Sequence, residues 1–266
     1  MNLGSKFSAP IIEKSVYGCL TRVVFGVDQA YLAEPGQFLH VLCGSEDGRI
    51  LRRPYSLFDT ASGTASILVK EAGPGSAWLA RREVGEEIDC MGPLGRPFSF
   101  SISDRPALIA GGAGIAPLIF LYKNMCSEGM EPSLFWGIER SGDYGDMPES
   151  ILAEFQVRIA SEDGRVGFKG TALELFTSQQ PEDFSAIYAC GPRGMLIELT
   201  EIMIGDRRAR LQLSFEERMA CGVGACKGCV VPASDPAGSY LTVCKDGPVF
   251  EGKELDWARL KSRVWQ

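Results

Sequence analysis

Four cysteines near the end of the chain have the spacing of an iron–sulfur site. They follow the pattern Cys221-x4-Cys226-x2-Cys229-x14-Cys244. A gap of four residues and then a gap of two is the plant-type pattern for a [2Fe–2S] cluster, which thiolates hold. Glycines among the first three cysteines let the backbone turn its amides toward the sulfurs. The sequence therefore predicts a [2Fe–2S] cluster, a carrier of single electrons, on a loop and a short hairpin.

Other uses of these cysteines fit the sequence less well. A structural zinc site more often has two C-x2-C pairs, and only Cys226 and Cys229 form one here. Disulfides are disfavoured because a cysteine cluster in a reducing compartment more often binds metal. The one histidine, His40, lies in an apolar run, and we expect a core residue with its hydrogen bonds satisfied. We expect small buried hydrophobic residues at Cys19, Cys43, Cys90 and Cys126.

Two glycine-containing turns suggest a nucleotide site. The first, in AGGAGIAPL (110–118), follows an apolar strand and opens a helix, whose amides can receive a phosphate. The second, in YACGPRGM (188–195), ends another strand of the same predicted sheet. Ligands of open α/β sheets bind at the carboxyl ends of the strands. Either turn alone could be an ordinary connection, but two in one sheet favour a dinucleotide crevice.

The stretch RRPYSLFD (52–59) holds side chains that suit a flat ligand with phosphates. An arginine can pair with phosphate, a tyrosine ring can stack on a heterocycle, and a serine hydroxyl can hydrogen-bond a ring nitrogen. Strand alternation places Arg53 and Tyr55 on one face and Ser56 on the other, unless the strand bends. Downstream, LVKEAGPGSAWL (68–79) offers a possible amide nest for a pyrophosphate. Alone, these segments could be an ordinary strand and an ordinary loop.

Two kinds of secondary structure must position these motifs. Up to about residue 100, short β-rich runs separated by Gly, Pro and Asp indicate an antiparallel barrel or sandwich. From about residue 105, apolar strands alternate with helical stretches, which indicates a doubly wound parallel sheet. In this second part we expect strands at 106–112, 133–138, 156–160 and 185–191 and helices at 115–129 and 192–203. Beyond about residue 210 we expect little periodic structure besides the cysteine region.

Composition narrows the class of protein. The 266 residues are 45% hydrophobic and carry a net charge of −7, which argues against nucleic-acid binding. The sequence has no apolar run of membrane-spanning length and no signal-peptide pattern at its start. We therefore expect a cytoplasmic protein that has neither nucleic-acid nor membrane partners.

Four motifs in this order resemble the ferredoxin–NADP reductase superfamily: R-x-Y-S, the glycine–serine turn, G-G-x-G-I-x-P and C-G-P. The resemblance implies an α+β two-domain fold with an antiparallel FAD-binding β-barrel at 1–102. An α/β doubly wound NAD-binding domain at 103–209 and a small cluster-binding appendage at 210–266 would follow. The residues implied for FAD are Arg53, Pro54, Tyr55, Ser56, Leu68, Val69, Lys70, Gly75 and Ser76. Those implied for NAD(H) are Gly112, Gly114, Pro117, Cys190, Gly191 and Pro192.

Three longer segments closely resemble the electron-transfer subunits of the class 1B dihydroorotate dehydrogenases. They are SFEERMACGVGACKGCVVP (214–232), YLTVCKDGPVF (240–250) and SEDGRVGFKGTALELF (161–176). This resemblance implies a heterotetramer with an FMN-containing catalytic subunit that oxidises dihydroorotate in pyrimidine biosynthesis. Electrons would pass through the cluster and FAD to NAD⁺, since a flavin exchanges electrons singly or in pairs. The orotate site would lie on the partner, and this chain would supply no catalytic side chains beyond its cofactors.

Further expectations concern nucleotide choice and docking. By resemblance, Arg140 would reach the adenosine end of the nucleotide. Asp143 and Asp146 nearby would repel a 2′-phosphate, which favours NAD over NADP. We expect an exposed apolar surface near the cluster, at Val230 and Val231, to dock the FMN subunit.

Two other functions stay open from the sequence. One is an NAD(P)H-linked flavin and iron–sulfur reductase subunit of another complex, of the sulfhydrogenase or ferredoxin:NADP oxidoreductase type. The other is a non-catalytic nucleotide-binding protein with structural zinc. In that protein the Arg-Pro-Tyr-Ser stretch and the glycines between the cysteines would have no role.

Overall fold

The first part of the chain folds as a closed antiparallel β-barrel. The structure is a computed structural model that describes residues 5–28, 31–44, 50–203 and 209–262. The barrel strands are β1 (Ser5–Tyr17), β2 (Leu20–Gly26), β3 (Phe38–Leu42), β4 (Arg52–Ala61), β5 (Thr64–Lys70) and β6 (Glu87–Leu94). They pair in the order β1-β2-β5-β4-β3-β6, and a short helix, α1 (Pro74–Ala80), follows β5. Of the two all-β architectures that the sequence allows, the chain adopts the barrel.

The second part is a 7-stranded sheet with the order β10-β9-β8-β7-β11-β12-β15. Its strands are β7 (Pro106–Gly111), β8 (Ser133–Ile138), β9 (Val157–Ser161), β10 (Phe168–Lys169), β11 (Ala186–Cys190), β12 (Arg210–Ser214) and β15 (Val249–Glu251). Its helices are α2 (Ile115–Ser127), α3 (Met147–Glu154), α4 (Ala172–Thr177) and α5 (Arg193–Met203). All neighbours are parallel except β12 and β15. The α+β two-domain prediction is confirmed.

The chain order of the parallel strands reverses beside β7. From β7 the sheet grows one way through β8 to β10, and β11 then pairs with the opposite edge of β7. Such a reversal opens a crevice at the carboxyl ends of the two central strands. Both predicted glycine turns lie there, because one follows β7 and the other follows β11. The fold therefore brings together two motifs that are far apart in the sequence.

The C-terminal region contributes to the sheet as well as to the cluster site. β12 and β15 lie in the sheet, although both fall within 210–266, for which the sequence suggested little periodic structure. Between them, β13 (Val230–Pro232) and β14 (Tyr240–Thr242) form a separate antiparallel hairpin. A last helix, α6 (Trp257–Ser262), follows β15. The boundary after residue 209 stays a prediction. Within the described residues, no helix is both long and apolar enough to cross a membrane.

The linker between barrel and sheet is held by this C-terminal region. Gln212, buried on β12, donates to the Ser99 carbonyl at 3.1 Å and accepts from the Ser99 amide at 3.0 Å. Arg96 donates to the Val249 carbonyl at 2.8 Å and forms an ion pair with Glu254. Since these partners lie more than 100 residues apart, they fix the barrel against the sheet.

Trp136 provides a test of how the sheet supports the first glycine turn. Its indole Nε1 donates to the Gly112 carbonyl at 2.9 Å, and the ring is fully buried. We expect Trp136→Phe to lower the free energy of unfolding by about 1–3 kcal/mol, because the half-buried Gly112 carbonyl loses its partner. Hydrogen–deuterium exchange at the amides of 112–116 should also become faster.

Trp257→Phe is the matched control. It removes an equivalent bond, from Nε1 to the Gly252 carbonyl at 2.7 Å, at the far end of the chain. The control should leave exchange at 112–116 unchanged. Equal exchange in both variants would contradict a supporting role for Trp136.

Candidate functional site

A cavity of about 800 Å³ opens between the barrel and the sheet. Its barrel side is formed by the start of β4, the end of β5 and the start of α1. Val69 does not line it, because its side chain is fully buried in the barrel core. The other residues predicted for FAD do line it, namely Arg53, Pro54, Tyr55, Ser56, Leu68, Lys70, Gly75 and Ser76. The structure thus gathers two sequence segments around one space.

Four consecutive residues of β4, from Arg53 to Ser56, line the cavity. Strict alternation would turn Ser56 away from Arg53 and Tyr55. The pairing of β4 with β5 shifts register just beyond, between Leu57 and Asp59, and such an irregularity bends a strand. The Tyr55 hydroxyl lies 3.9 Å from a buried thiol, and burial raises the pKa of this phenol. Tyr55 therefore presents an uncharged ring to the cavity.

The start of α1 forms the floor of the cavity beside Arg53. The Ser76 hydroxyl accepts from the amides of Ala72 at 2.9 Å and Gly73 at 3.0 Å, and it donates to the Gly73 carbonyl. This hydroxyl is therefore engaged in holding the turn, and the first-turn amides of the helix stay available for a ligand. At Gly75, an added Cβ would lie 3.4 Å from Arg53 Nε, so the backbone and the guanidinium lie close together.

The sheet side of the cavity includes two acidic residues that sequence reasoning missed. Glu216 and Glu217 line it directly after β12. The surrounding protein partly desolvates the Glu216 carboxyl and raises its pKa, and the nearby Lys70 charge opposes this shift. Glu217 forms an ion pair with Arg193 at the start of α5. No motif marks these residues in the sequence, and only the placement of β12 brings them to the cavity.

The two glycine turns pack backbone against backbone at the crevice. A Cβ on Gly111 would lie 2.7 Å from Pro192 Cδ, and one on Gly191 would lie 2.9 Å from the Gly111 amide nitrogen. A Cβ on Gly114 would overlap the Cys190 carbonyl. Only residues without a side chain allow this approach.

The remaining residues predicted for NAD(H) lie around the same turns. Gly112 has a φ of 54°, in the region that favours glycine, and Pro117 is buried in the first turn of α2. The Cys190 thiol is fully buried beneath the crevice, and burial raises its pKa, so it is a neutral group. Arg140 is exposed after β8 and pairs with Asp143 at 3.6 Å.

The four cluster cysteines meet at one end of the molecule in two pairs. The Cys226 amide donates to Cys221 Sγ at 3.4 Å, and the Cys244 amide donates to Cys229 Sγ at 3.4 Å. The Gly224 amide also donates to Cys244 Sγ at 3.0 Å. Within the described residues, no three acidic, histidine or cysteine side chains form a group around one ion. Two thiol pairs with inward amides fit a [2Fe–2S] cluster, in which each iron takes two thiolates.

The local hydrogen bonds favour the thiolate form at two of the four cysteines, Cys221 and Cys229. The Cys244 thiol and backbone amides donate to Cys229 and lower its pKa to about 6. Burial raises the pKa of Cys221, but amides of the loop outweigh it and lower the value to about 7. The thiolate is the form that binds a metal. Cys221 and Cys229 are thus favoured as thiolates, whereas the hydrogen bond to Cys229 raises the pKa of its donor, Cys244.

Three expectations about single residues are wrong. Cys126 is exposed on α2 and is not a core residue. Val231 is fully buried, and the exposed part of the cluster loop is instead 225–228, which contains Cys226. His40 is buried as expected, but neither of its ring nitrogens has a hydrogen-bond partner among the described residues.

Known proteins match both the cluster region and most of the chain. The model of the iron-sulfur cluster binding domain of dihydroorotate dehydrogenase B matches residues 216–256. The electron transfer subunit of dihydroorotate dehydrogenase B (NAD(+)) from Desulforamulus reducens is 35% identical over 235 residues, which are 86% of this chain and 89% of that protein. The corresponding subunit from Geobacillus thermodenitrificans is 37% identical over 85% of this chain and 88% of its own length. The chain belongs to this family.

Two solved structures of other reductases share the fold of this member of the dihydroorotate dehydrogenase B electron-transfer subunits. A chain of the NADH-dependent reduced ferredoxin-NADP oxidoreductase has a TM-score of 0.84 at 25% identity and covers 96% of this chain and 92% of its own. Phthalate dioxygenase reductase has a TM-score of 0.62 at 17% identity, over 89% of this chain and 76% of its own. The second likeness is one of fold.

Gly114→Ala tests whether this electron-transfer subunit needs the close packing of its two glycine turns to bind the nucleotide. The new methyl group would meet the backbone carbonyl of Cys190, so the two turns must separate. We expect the affinity for NAD⁺, which does not reduce the oxidised flavin, to fall by about 10-fold or more, equivalent to ~1.4 kcal/mol. Calorimetric titration of the flavin-loaded protein measures it. Gly194→Ala is the control, because nothing lies within 4 Å of its added Cβ. Unchanged affinity in Gly114→Ala would contradict a nucleotide role for this contact.

The cluster assignment predicts that Cys226→Ser abolishes [2Fe–2S] binding, because one iron of the pair loses a thiolate ligand. Protein purified without oxygen should keep its flavin and lose its iron, as read by metal analysis and by the EPR signal after reduction. Cys126→Ser replaces an equally exposed cysteine on α2 and should keep both. Full iron content in Cys226→Ser, or stoichiometric zinc in the wild type, would overturn the assignment.

Proposed function

We propose that this chain passes electrons from an FMN-containing catalytic subunit to NAD⁺, through a [2Fe–2S] cluster and FAD, in the dihydroorotate dehydrogenase step of pyrimidine biosynthesis. Oxidation of dihydroorotate to orotate releases two electrons and two protons on the partner. NAD⁺ takes up both electrons and one proton as a hydride, and one proton goes to solvent. A flavin between the two sites converts single electrons into a hydride.

One observation carries the proposal: the wall of the cavity runs directly into the cluster loop. Residues 215–219 line the cavity, and Cys221 is the first cluster ligand in the chain. Two residues span at most about 7 Å. A flavin in the cavity and a cluster on the loop would therefore be close neighbours within one chain. A protein that only bound nucleotide would not need this adjacency.

The cavity residues suit FAD in chemistry and in placement. Arg53 and the first-turn amides of α1 lie side by side and would hold the diphosphate. Tyr55 and Ser56 would contact the flat ring from β4, and Lys70 adds positive charge beside it. The residues Pro54 and Leu68 supply apolar walls. When bound, the flavin supplies the redox chemistry, and these side chains orient it and exclude water.

The nucleotide would bind over the glycine turns, at Gly112, Gly114, Gly191 and Pro192. Its nicotinamide end would then enter the cavity from the sheet side. For the adenosine end, the ion-paired Arg140 and the acidic Asp143 next to it favour an unphosphorylated ribose. We therefore propose NAD(H) as the substrate and not NADP(H), in agreement with the NAD(+) in the names of the relatives.

The catalytic subunit would dock on the exposed tip of the cluster loop, 225–228. Cys226 is exposed there, whereas Cys229 and Cys244 are buried, so one side of the cluster would face a partner. We propose a heterotetramer of two subunits of each kind. We also propose a location in the cytoplasm.

A second candidate function rests on the structural likeness to the ferredoxin-NADP oxidoreductase chain. In that case the same cofactors would serve a different partner. Co-purification of the tagged chain and identification of its partner by mass spectrometry separate the two candidates.

The test of the proposal is dihydroorotate-dependent formation of NADH by the chain co-expressed with its FMN subunit. Arg53→Ala should lower FAD affinity by about 10-fold or more, because a charged hydrogen bond contributes ~1.5–3 kcal/mol. NADH formation should fall with the bound FAD.

Arg52→Ala is the control for this variant. Arg52 points to the other side of β4, where it pairs with Asp89 at 2.7 Å, so FAD should be retained. Dihydroorotate oxidation that yields no NADH in the intact complex would contradict the proposal. Equal FAD content in both variants would contradict the assignment of Arg53.

A further inference from the structure

His40 is a buried polar residue without an assigned task. It is the one histidine of the chain, and its side chain is fully buried on β3. Neither Nδ1 nor Nε2 has a hydrogen-bond partner among the described residues. A buried polar group without a hydrogen-bond partner carries a cost in stability. This cost points to a partner that is not an atom of the described chain.

The ring of His40 points out of the barrel, toward the C-terminal region. Leu39 and Val41, its neighbours on β3, lie in the barrel core, so alternation turns His40 to the opposite face. Phe38, two residues earlier on that face, packs in the same core cluster as Cys229 and Cys244. In the pairing of β3 with β4, His40 lies opposite Pro54, which lines the proposed FAD cavity. His40 thus lies between the proposed flavin site and the cluster site.

The ring contacts the cluster loop itself. A Cβ on Gly222 would lie 2.5 Å from His40 Nδ1 and 3.1 Å from Cε1. Gly222 follows the ligand Cys221 directly, is buried, and has a φ of 72°. Glycine at this position therefore makes room for the ring, and it brings Nδ1 to the backbone that wraps the cluster.

The imidazole has one N–H to donate. Burial, together with the charge of Arg52, lowers the pKa of His40 to about 4. Arg52 donates to the His40 carbonyl at 3.2 Å, which fixes the backbone beneath the ring. A neutral ring next to a cluster of thiolates and sulfide can donate a hydrogen bond to sulfur without adding charge.

We propose that His40 donates its Nδ1–H to an inorganic sulfide of the [2Fe–2S] cluster, since no sulfur of a described cysteine accepts from it, and so sets the cluster's reduction potential from the FAD barrel. This inference rests on the proposed cluster and flavin. His40 is a positioning residue, because it reaches the irons only through sulfur. Hydrogen bonds to sulfur stabilise the more negative, reduced cluster and raise its potential. The same hydrogen bond would connect the barrel, through His40, to the cluster.

The decisive experiment uses the protein loaded with FAD and cluster and labelled with ¹⁵N-histidine. Because the chain has one histidine, any ¹⁵N coupling to the reduced cluster in a pulsed EPR spectrum comes from His40. We expect such a coupling in the wild type. Its absence at full cluster content overturns the proposal, and no variant has to fold for this result.

Variants then measure the effect on the potential. His40→Leu should shift the midpoint potential to more negative values, and His40→Asn, which keeps a donor near the place of Nδ1, should restore part of the shift. Met91→Leu is the control for loosened packing, since Met91 pairs with His40 on β6 and its side chain brings no N–H donor. Equal potentials in wild type and His40→Leu would overturn the role of His40.

Cluster content separates this proposal from the proposed function. A wild-type chain without iron would contradict the function itself. A wild-type chain with the cluster, but with no ¹⁵N coupling and no shift in His40→Leu, would contradict only the assignment of His40.

Discussion

The parallel pairing of β11 with β12 is the constraint on which the rest of the site depends. It aligns Cys190 with Ser214, so the chain leaves β12 beside the second glycine turn. Residues 215–219 then have to pass along the cavity before they reach Cys221. The chain later returns along β15, which pairs antiparallel with β12. Just before β15, Cys244 comes back to the other cysteines, and its amide donates to Cys229 Sγ. This strand pairing therefore places the second glycine turn, the cavity wall and the cluster loop next to one another.

This arrangement explains why the barrel and the sheet have a fixed relation. Electron transfer between bound groups requires stable distances, and the linker supplies stability through side chains that the C-terminal region holds. Gln212 donates to the Ser99 carbonyl and accepts from the Ser99 amide. The Arg96 guanidinium donates to the Val249 carbonyl and forms an ion pair with Glu254. Partly buried polar contacts of this kind favour one arrangement, because a partial loss leaves groups such as the buried Gln212 unsatisfied. The same region that binds the cluster therefore also locks the two domains together.

Much of the fold was predictable from the sequence, because its central strands are short apolar runs that end in glycine. The strand at 133–138 and the start of the helix at 115 agree with the structure to the residue. The cysteine spacing likewise identifies the cluster, since the ligands lie close in sequence. Glu216 and His40 could not be assigned, because their environments depend on strand pairing between distant segments. Val231 was misjudged for the same reason: the β13–β14 hairpin turns it into the core.

The proposed function depends on one electron path through the flavin cavity and the cluster within this chain. Its most direct test is anaerobic reduction of the isolated, fully loaded protein by NADH, followed by flavin absorbance and by the EPR signal of the reduced cluster. We expect the flavin to bleach first, the cluster signal to follow, and protein depleted of FAD to show no cluster reduction. Cluster reduction by NADH at the same rate without FAD, or none in the loaded protein, would contradict this path.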